Sequence, residues 1–511
     1  MPTPIRVAFF LALAGLAACS APPAREVRSL QVQRPVVFGP PARPGLDGPV
    51  GITEIDTPAP VWTSTDDAVT RTTAEMMAEA ATRPPTFSDW RERPHPKKHR
   101  PSRRNLPQDP AATALPQREP LTLTRGGAPL VAQTASTPNA DVATLGDTNS
   151  LPPDTMGDVG PTQYLVGLNG RFRTISKTTG SADGALNLDS DTLFSGSLPA
   201  GHFTTDPRVR FDRRLNRWIV LMISAGVPNR FMIAVSDTAT ISGSTVWTHV
   251  RWDNTRLAAG SGPDACLADY PTLGVDEDAL YIGVNQFCGP DANSLAFDST
   301  SVYVVNKQAL ANGTLSVAQF NGVLPNAGSS GIYTPQGVDN FDANTNEGYV
   351  IGVNNTAFGQ LVLRRVANPG GTPSLSGDIA VTVSQTAYPI DVPHPGGALA
   401  LDGLDDRLLQ AVVRNGRLWT AHQLEVNTAG VAGSGGGRDG VRWYEIQNLS
   451  STPSVRQSGT VFDSAATTPR SYFMGAIVPN GQGHAALGMT VAGAVSRVST
   501  RPSPAAWPPT R

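Results

Sequence analysis

The chain has 511 residues, a formal net charge of −2 at neutral pH and 40% hydrophobic residues. The near-zero charge excludes a whole-protein basic surface for nucleic acid, and the apolar content excludes disorder throughout. With 50 Gly and 45 Pro, a mainly helical fold is disfavoured, and the composition points to part linker and part all-β structure.

The first residues form three zones: a polar start ending at Arg6, an apolar run from Val7 to Leu16, and the tetrad Leu16, Ala17, Ala18, Cys19. The run falls short of the roughly 20 apolar residues that a membrane-spanning helix needs, so residues 1–18 read as a processed signal peptide. The tetrad resembles the lipobox of bacterial lipoprotein signals. That resemblance implies a thioether lipid on Cys19, cleavage before it, and export. Attachment to the lipid bilayer of the cell envelope would then be by the lipid alone, and Ser20 in place of Asp implies the outer membrane. An ordinary secretory signal ending in Ala-x-Ala is the alternative. The two other cysteines, Cys266 and Cys288, form an even pair in an exported protein and are expected to be a disulfide, with two buried free thiols as the alternative.

Residues 19–120 have scattered prolines and little strand alternation, which predicts a disordered tether. Within it, residues 66–82 are the one helix candidate, marginal because its apolar side is thin, with Ser64 as cap and Arg83-Pro84-Pro85 as stop. Residues 91–104 are strongly basic, which reads as a solvated spacer, with docking to anionic envelope material as the alternative.

From about Leu121 to Ala494 the texture changes to short apolar runs separated by Gly, Asn and Asp. One strand type recurs from Tyr164, Trp218, Leu280, Tyr349, Leu418 and His484, roughly 54 to 69 residues apart. Each middle copy has a partner strand before it across a polar turn and two strands after it, so the unit is a four-stranded antiparallel meander. One such sheet cannot bury both faces alone. Face-to-face repetition around an axis solves this, so the predicted fold is all-β: a β-propeller of about six blades, with an incomplete ring or a seventh blade as alternatives. The sixth unit has two clear strands, and residues 495–511 are expected to be an irregular tail that supplies none. The ring is then closed by N-terminal strands, LTLT from Leu121 and PLVAQT from Pro129, or is truncated. Cys266 and Cys288 lie symmetrically about the Asp276 to Asp278 turn, so antiparallel pairing places them opposite each other.

Several segments, PPDTMGDVGPTQYLVGLNGRF from Pro152, DPRVRFDRRLNRWIV from Asp206, DYPTLGVDEDALYIGVNQF from Asp269 and VRWYEI from Val441, resemble a family of secreted bacterial β-propeller proteins loosely related to the sialidase and BNR-repeat superfamily. The resemblance implies the fold and carries over no catalytic residue.

No HExxH, G-x-S-x-G or P-loop pattern occurs. Gly435, Gly437 and Gly440 satisfy G-x-G-x-x-G but precede a strand, which marks a loop. The five histidines of the β region, His202, His249, His394, His422 and His484, show no ligand spacing. Asp154 and Asp158 offer hard oxygen ligands for a structural calcium ion, against the simpler reading of an Asp-capped turn; no other cofactor is expected. A sialidase-like enzyme needs an arginine cluster with carboxylates, and Arg171, Arg208, Arg364 and Arg417 are its scattered candidates. The first functional expectation is a non-enzymatic binding scaffold with a glycan or protein ligand at one propeller face. The second is a secreted glycan hydrolase or lyase, which would gather two carboxylates and three arginines at one end of the axis. Labelled palmitate is predicted to enter the wild-type protein in cells and not Cys19→Ala; equal labelling of both would refute lipidation.

Overall fold

The computed structural model describes residues 31–32, 59–64, 68–82, 91–92, 150–227, 229–254, 265–290, 294–343, 346–395 and 400–503. Five sheets form the blades of a β-propeller, and the main strands of each pair antiparallel in chain order, with Asp339–Asn340 added in parallel to the first strand of blade 5. Blade 1 runs Met156–Val159, Gln163–Leu168, Arg171–Ser176 and Ala182–Leu188, and blade 2 runs Phe203–Asp212, Arg217–Ala225, Arg230–Ser236 and Val246–Asp253. In blade 3 the innermost strand is split into Ala265–Asp269 and Gly274–Val275, followed by Ala279–Gly289, Ala296–Asn306 and Leu315–Leu324. Blade 4 starts with Ile332–Gly337, Glu347–Asn354 and Gln360–Ala367 and ends in the two short strands Ser374–Leu375 and Ile379–Thr382. Blade 5 comprises Gln410–Arg414, Arg417–Val426, Arg438–Gln447 and Ser454–Phe462.

The recurring strand of the sequence is the second of each blade. It is apolar at nearly every position because both its faces are covered. Ile219, Leu221 and Ile223 of blade 2 pack against Leu280, Ile282 and Val284 of blade 3, and Ile351 and Leu363 of blade 4 pack with Leu418 and Tyr444 of blade 5. Similar clusters fill the spaces between blades 1 and 2 and between blades 3 and 4. Burying one such side chain contributes roughly 1.5–3 kcal/mol, so stability resides in the inter-blade layers.

The expected ring of six blades is corrected to five of four or more strands. The sixth unit is a three-stranded sheet, Arg470–Pro479, Ala485–Gly493 and Ser496–Ser503, packed on blade 5 through Trp419, Trp443, Tyr472 and Leu487. The tail thus supplies a strand that its weak apolar alternation did not suggest. A two-residue turn at Ala494 and Val495, with Gly493 opposite Ser496, folds it back as a hairpin. The strands proposed to close the ring, from Leu121 and Pro129, lie outside the described residues.

Part of the segment expected to be a disordered tether lies within the described residues. It supplies outer strands to three blades: Gln31–Val32 pairs with blade 5, Ala59–Ser64 with blade 3 and Val69–Thr72 with blade 2. Outer edges expose unpaired backbone groups, and these added strands satisfy them. The helix α1 spans Thr73–Thr82 rather than starting near Asp66. Its start is set by a capping box, in which the Glu75 amide donates to the Thr72 hydroxyl (3.2 Å) and the Thr72 amide to the Glu75 carboxylate (2.7 Å). Its thin apolar side suffices because Met76 is fully buried among Leu186, Leu193, Phe194 and Trp247. Of the basic stretch, only the Arg91–Glu92 strand lies within the described residues, paired with Ser150–Leu151.

Cys266 and Cys288 are directly opposite in the antiparallel pairing and are joined by a disulfide, with Cα atoms 4.1 Å apart. This is the expected bond. It closes a loop of 22 residues that would otherwise add freedom to the unfolded chain. Reduction, or Cys288→Ser, is therefore predicted to lower unfolding stability by about 2–4 kcal/mol, measurable by denaturant titration; no change would mean that blade 3 is held without it.

Candidate functional site at the propeller axis

The innermost strands share one backbone device. Asp154, Asp206, Tyr270, Thr334, Leu404 and Met474 all take left-handed conformations, with φ between 45° and 58°. They stand at or just before the innermost strands of the five blades and of the three-stranded sheet. Asp206, Tyr270 and Thr334 are each followed by proline, which disfavours such a conformation further. Strain of about 1–3 kcal/mol per position is held in place by contacts between blades. Arg208 Nε donates to the Pro271 carbonyl (2.5 Å) and the Thr272 hydroxyl to the Pro335 carbonyl (2.8 Å).

The kinks gather Asp154, Asp206, Asp269, Tyr270, Arg208 and Arg407 in one place. The Arg208 and Arg407 guanidinium carbons lie 4.6 Å and 4.4 Å from the Tyr270 ring centroid. Arg407 is held by Asp405 through two hydrogen bonds of 2.7 Å, and the Tyr333 hydroxyl donates to the same carboxylate (2.9 Å). Arg208 forms no ion pair among the described residues, so its remaining N–H groups are available to a ligand. Asp154, Asp269 and Tyr270 are densely surrounded yet only half-buried by surface. That combination marks side chains that line a hollow.

Burial and then the charge of Asp206 push Asp154 up to about 7, against the pull of Arg208. Burial and the same charge push Asp269 to about 8, with Arg407 opposing. Burial also acts upward on Asp405, but Arg407 outweighs it and holds this carboxyl below its ordinary value. Asp206 accepts from the Thr205 hydroxyl (2.7 Å) and the Tyr270 amide (3.0 Å). The hollow therefore holds two carboxyls with raised proton affinity, Asp154 and Asp269, beside a third, Asp206, whose oxygens are held as acceptors, an arrangement suited to acid–base chemistry.

Farther along the innermost strand of blade 2, Arg210 is held by both Asp339 oxygens at 2.9 Å and by the Leu273 carbonyl at 2.7 Å. Asp158 belongs to this second group. Its charge acts on Arg210 and Asp339, and its oxygens accept from the Phe211 amide (2.8 Å) and the Val159 amide (2.7 Å).

The two sequence-selected carboxylates thus fall in different groups: Asp154 in the hollow, Asp158 beside Arg210. Among the described residues, no set of three or more His, Cys, Asp or Glu is arranged to hold a metal ion. Of the candidate arginines only Arg208 reaches the hollow. Arg364 pairs with Asp378 (2.6 Å), Arg417 lies 3.9 Å from Glu445, and Arg171 donates to Asn187 (2.8 Å). His422 is buried between the Asp406 carbonyl (2.6 Å) and the Tyr444 hydroxyl (3.0 Å), and Cys19 lies outside the described residues. Sequence reasoning missed Asp206, Asp269, Tyr270 and Arg407. The signal for three of them is the recurrence of x-x-Pro at the same place in successive repeats: Thr205-Asp206-Pro207, Asp269-Tyr270-Pro271, Tyr333-Thr334-Pro335.

The raised carboxyls give stability a pH signature. Both folded values lie above that of an unfolded aspartate, so the stability these protonated groups contribute is fully present below about pH 4 and lost as pH rises through 7 to 8. Asp269→Asn, which cannot ionise, is predicted to be about 1–2 kcal/mol more stable than wild type at pH 9, discounted for partial solvation, with no gain at pH 4. Equal denaturation midpoints of the two proteins at both pH values would contradict this.

No protein-family model matches the chain, and no curated protein does. Among solved structures, an apocarotenoid oxygenase from Synechocystis is similar at 9% identity and a TM-score of 0.36, the match covering 66% of this chain and 66% of that one, just under two thirds of its length. An exo-β-1,3-galactanase from Clostridium thermocellum aligns at 10% identity and a TM-score of 0.26, over 68% of this chain and 74% of that one. A β-xylosidase aligns at 13% identity and a TM-score of 0.27, over 59% and 94%. At these scores the chemistry of the present chain has to be argued from its own residues.

Proposed function

We propose that the axial hollow is the acid–base centre of a glycan hydrolase. The observation that carries this reading is the gathering of Asp154, Asp206 and Asp269, two of them, Asp154 and Asp269, with raised affinity for a proton, around a hollow beside the uncommitted Arg208. Glycosidic cleavage needs a protonated carboxyl at the leaving oxygen and an ionised one on the other side of the sugar. Asp269 supplies the first. Asp206 supplies the second, as base or nucleophile, with Asp154 beside it. Arg208 and the Tyr270 hydroxyl orient sugar oxygens.

The chain is further proposed to be an exported lipoprotein of the sialidase-like, BNR-related group, anchored at the outer membrane through Cys19; the lipobox tetrad and the disulfide support this. One observation favours a second reading, a non-catalytic binding scaffold: Arg407 is already neutralised by Asp405, which leaves one free arginine where a sialidase-like site needs three.

Incubating the full-length protein with cell-wall glycans and host-type polysaccharides separates the two. Hydrolysis is predicted in wild type, falling above about pH 8 as Asp269 loses its proton. Asp206→Asn and Asp269→Asn are each predicted to lower kcat by at least about 100-fold with KM little changed. Binding without products would replace the hydrolase by the scaffold.

A further inference from the structure

The arginines of the innermost strands do not all end at the hollow. Arg213 follows the innermost strand of blade 2, in the exposed turn that leads to Arg217, and Arg414 closes the innermost strand of blade 5. Both lie at the opposite end of these strands from the left-handed residues, and both reach one side chain, Phe341. Their guanidinium carbons stand 4.6 Å and 5.5 Å from its ring centroid.

Phe341 is fixed in place by its backbone. Its amide donates to the Val413 carbonyl (3.1 Å), and Asp339–Asn340 just before it runs parallel to Val412 and Val413. Asp342 accepts from the Asn415 amide (2.7 Å) and the Gly416 amide (2.6 Å), which ties this loop of blade 4 onto the turn of blade 5. Asn415 and Gly416 are both left-handed, with φ of 54° and 67°, and bring Arg414 opposite Arg417. Gly481, from the three-stranded sheet, leaves room for the guanidinium: a Cβ there would lie 3.1 Å from an Arg414 terminal nitrogen.

A guanidinium stacked on a ring keeps its in-plane N–H groups for other partners. Among the described residues, neither Arg213 nor Arg414 forms a hydrogen bond or an ion pair. The neighbouring carboxylates are committed elsewhere, Asp342 to the two amides and Glu277 to Arg214 (3.2 Å). Two like charges on one ring repel each other, and an anion with oxygens for both offsets that cost. A carboxylate has only two oxygens, which one guanidinium fork occupies. A phosphate monoester or the free ion has three or four, enough for both forks.

We propose that Arg213 and Arg414, held on Phe341, form a binding site for a phosphate group at the end of the axis remote from the hollow. Its ligand is inorganic phosphate or a phosphate monoester carried on a lipid headgroup. The site is independent of the hydrolase reading, and no bond is made or broken in it.

The probe is inorganic phosphate, titrated calorimetrically into the full-length protein with sodium chloride at matched ionic strength as the reference. Saturable binding is expected in wild type. Arg213→Gln and Arg414→Gln each remove one fork and are expected to weaken it by about tenfold or more, with the far-ultraviolet circular dichroism unchanged. Arg213→Lys keeps the charge but not the fork and is expected to fall between. If Arg414→Gln does not fold, Arg213→Gln, on an exposed turn, carries the test alone. A second arm uses vesicles of phosphatidic acid in phosphatidylcholine. Co-sedimentation that wild type shows and Arg213→Gln loses assigns the phosphate to a lipid headgroup, and phosphate binding without vesicle binding assigns it to the free ion. Absence of saturable phosphate binding in wild type, or equal affinity in wild type and the folded glutamine variants, overturns the proposal. Failure of the hydrolase reading would appear separately, as wild-type protein that binds phosphate and forms no product from glycans.

Discussion

The closeness of the innermost strands at the axis is the constraint from which the rest of this structure follows. At places the backbones of neighbouring blades meet there so closely that only glycine fits. Between blades 3 and 4, a Cβ added at Gly274 would lie 2.3 Å from the Val338 nitrogen, and one at Gly337 would lie 2.6 Å from the Gly274 nitrogen. Strands so close cannot stay regular along their whole length. A left-handed residue lies in or ahead of each, and in blades 2 and 4 the register of the pairing shifts there, between Thr205 and Arg208 and between Tyr333 and Gln336. The kink turns polar side chains toward the axis where an uninterrupted strand would send them into the apolar layers between blades. The site is thus a by-product of how the ring packs.

Crowding also sets the electrostatics. Asp154, Asp206, Asp269 and Asp405 face Arg208 and Arg407. With all four carboxylates ionised, the hollow would hold two uncompensated negative charges in a weakly solvated space, a cost of several kcal/mol. The raised proton affinity of Asp154 and Asp269 lessens that cost. The upward displacement of Asp154 and Asp269, and the downward one of Asp405 beside Arg407, are therefore one fact about charge balance. The proton inventory follows from the number of arginines the strands deliver.

How much of this the sequence discloses depends on the length scale of each interaction. The blades were legible because both faces of each second strand are covered, leaving near-continuous apolar runs at a regular interval; the Cys266–Cys288 pair followed from the symmetry of one hairpin. The outer strands from the N-terminal segment were not legible. Thr70 and Thr72 in the blade 2 addition contribute backbone pairing more than buried apolar surface, and backbone pairing leaves little trace in composition. The helix boundary was misplaced because Ser64 was read as the cap, whereas Thr72 and Glu75 form the working one. At the axis, Asp154 was found because it lies in a turn with a second aspartate. Asp206 and Asp269 were missed because the residues that make them chemically distinct, Arg208, Arg407 and one another, come together only through the ring.

The two polar groups at the axis show why one is assigned chemistry and the other is not. Arg210 and Asp339 meet through both carboxylate oxygens, and each is further tied to backbone of blade 3, Arg210 to the Leu273 carbonyl and Asp339 to the Val275 amide at 3.0 Å. Every strong donor and acceptor there has a protein partner, so admitting a ligand would first require breaking a desolvated pair, which costs about 3–5 kcal/mol. In the other group, Arg208 has no carboxylate partner, the Tyr270 hydroxyl has no hydrogen-bond partner among the described residues, and Asp154 and Asp269 keep water-facing surface. A ligand entering there would satisfy polar atoms rather than strip them. Burial and charge are alike in both places; the unspent hydrogen-bonding capacity is what distinguishes a site from a brace.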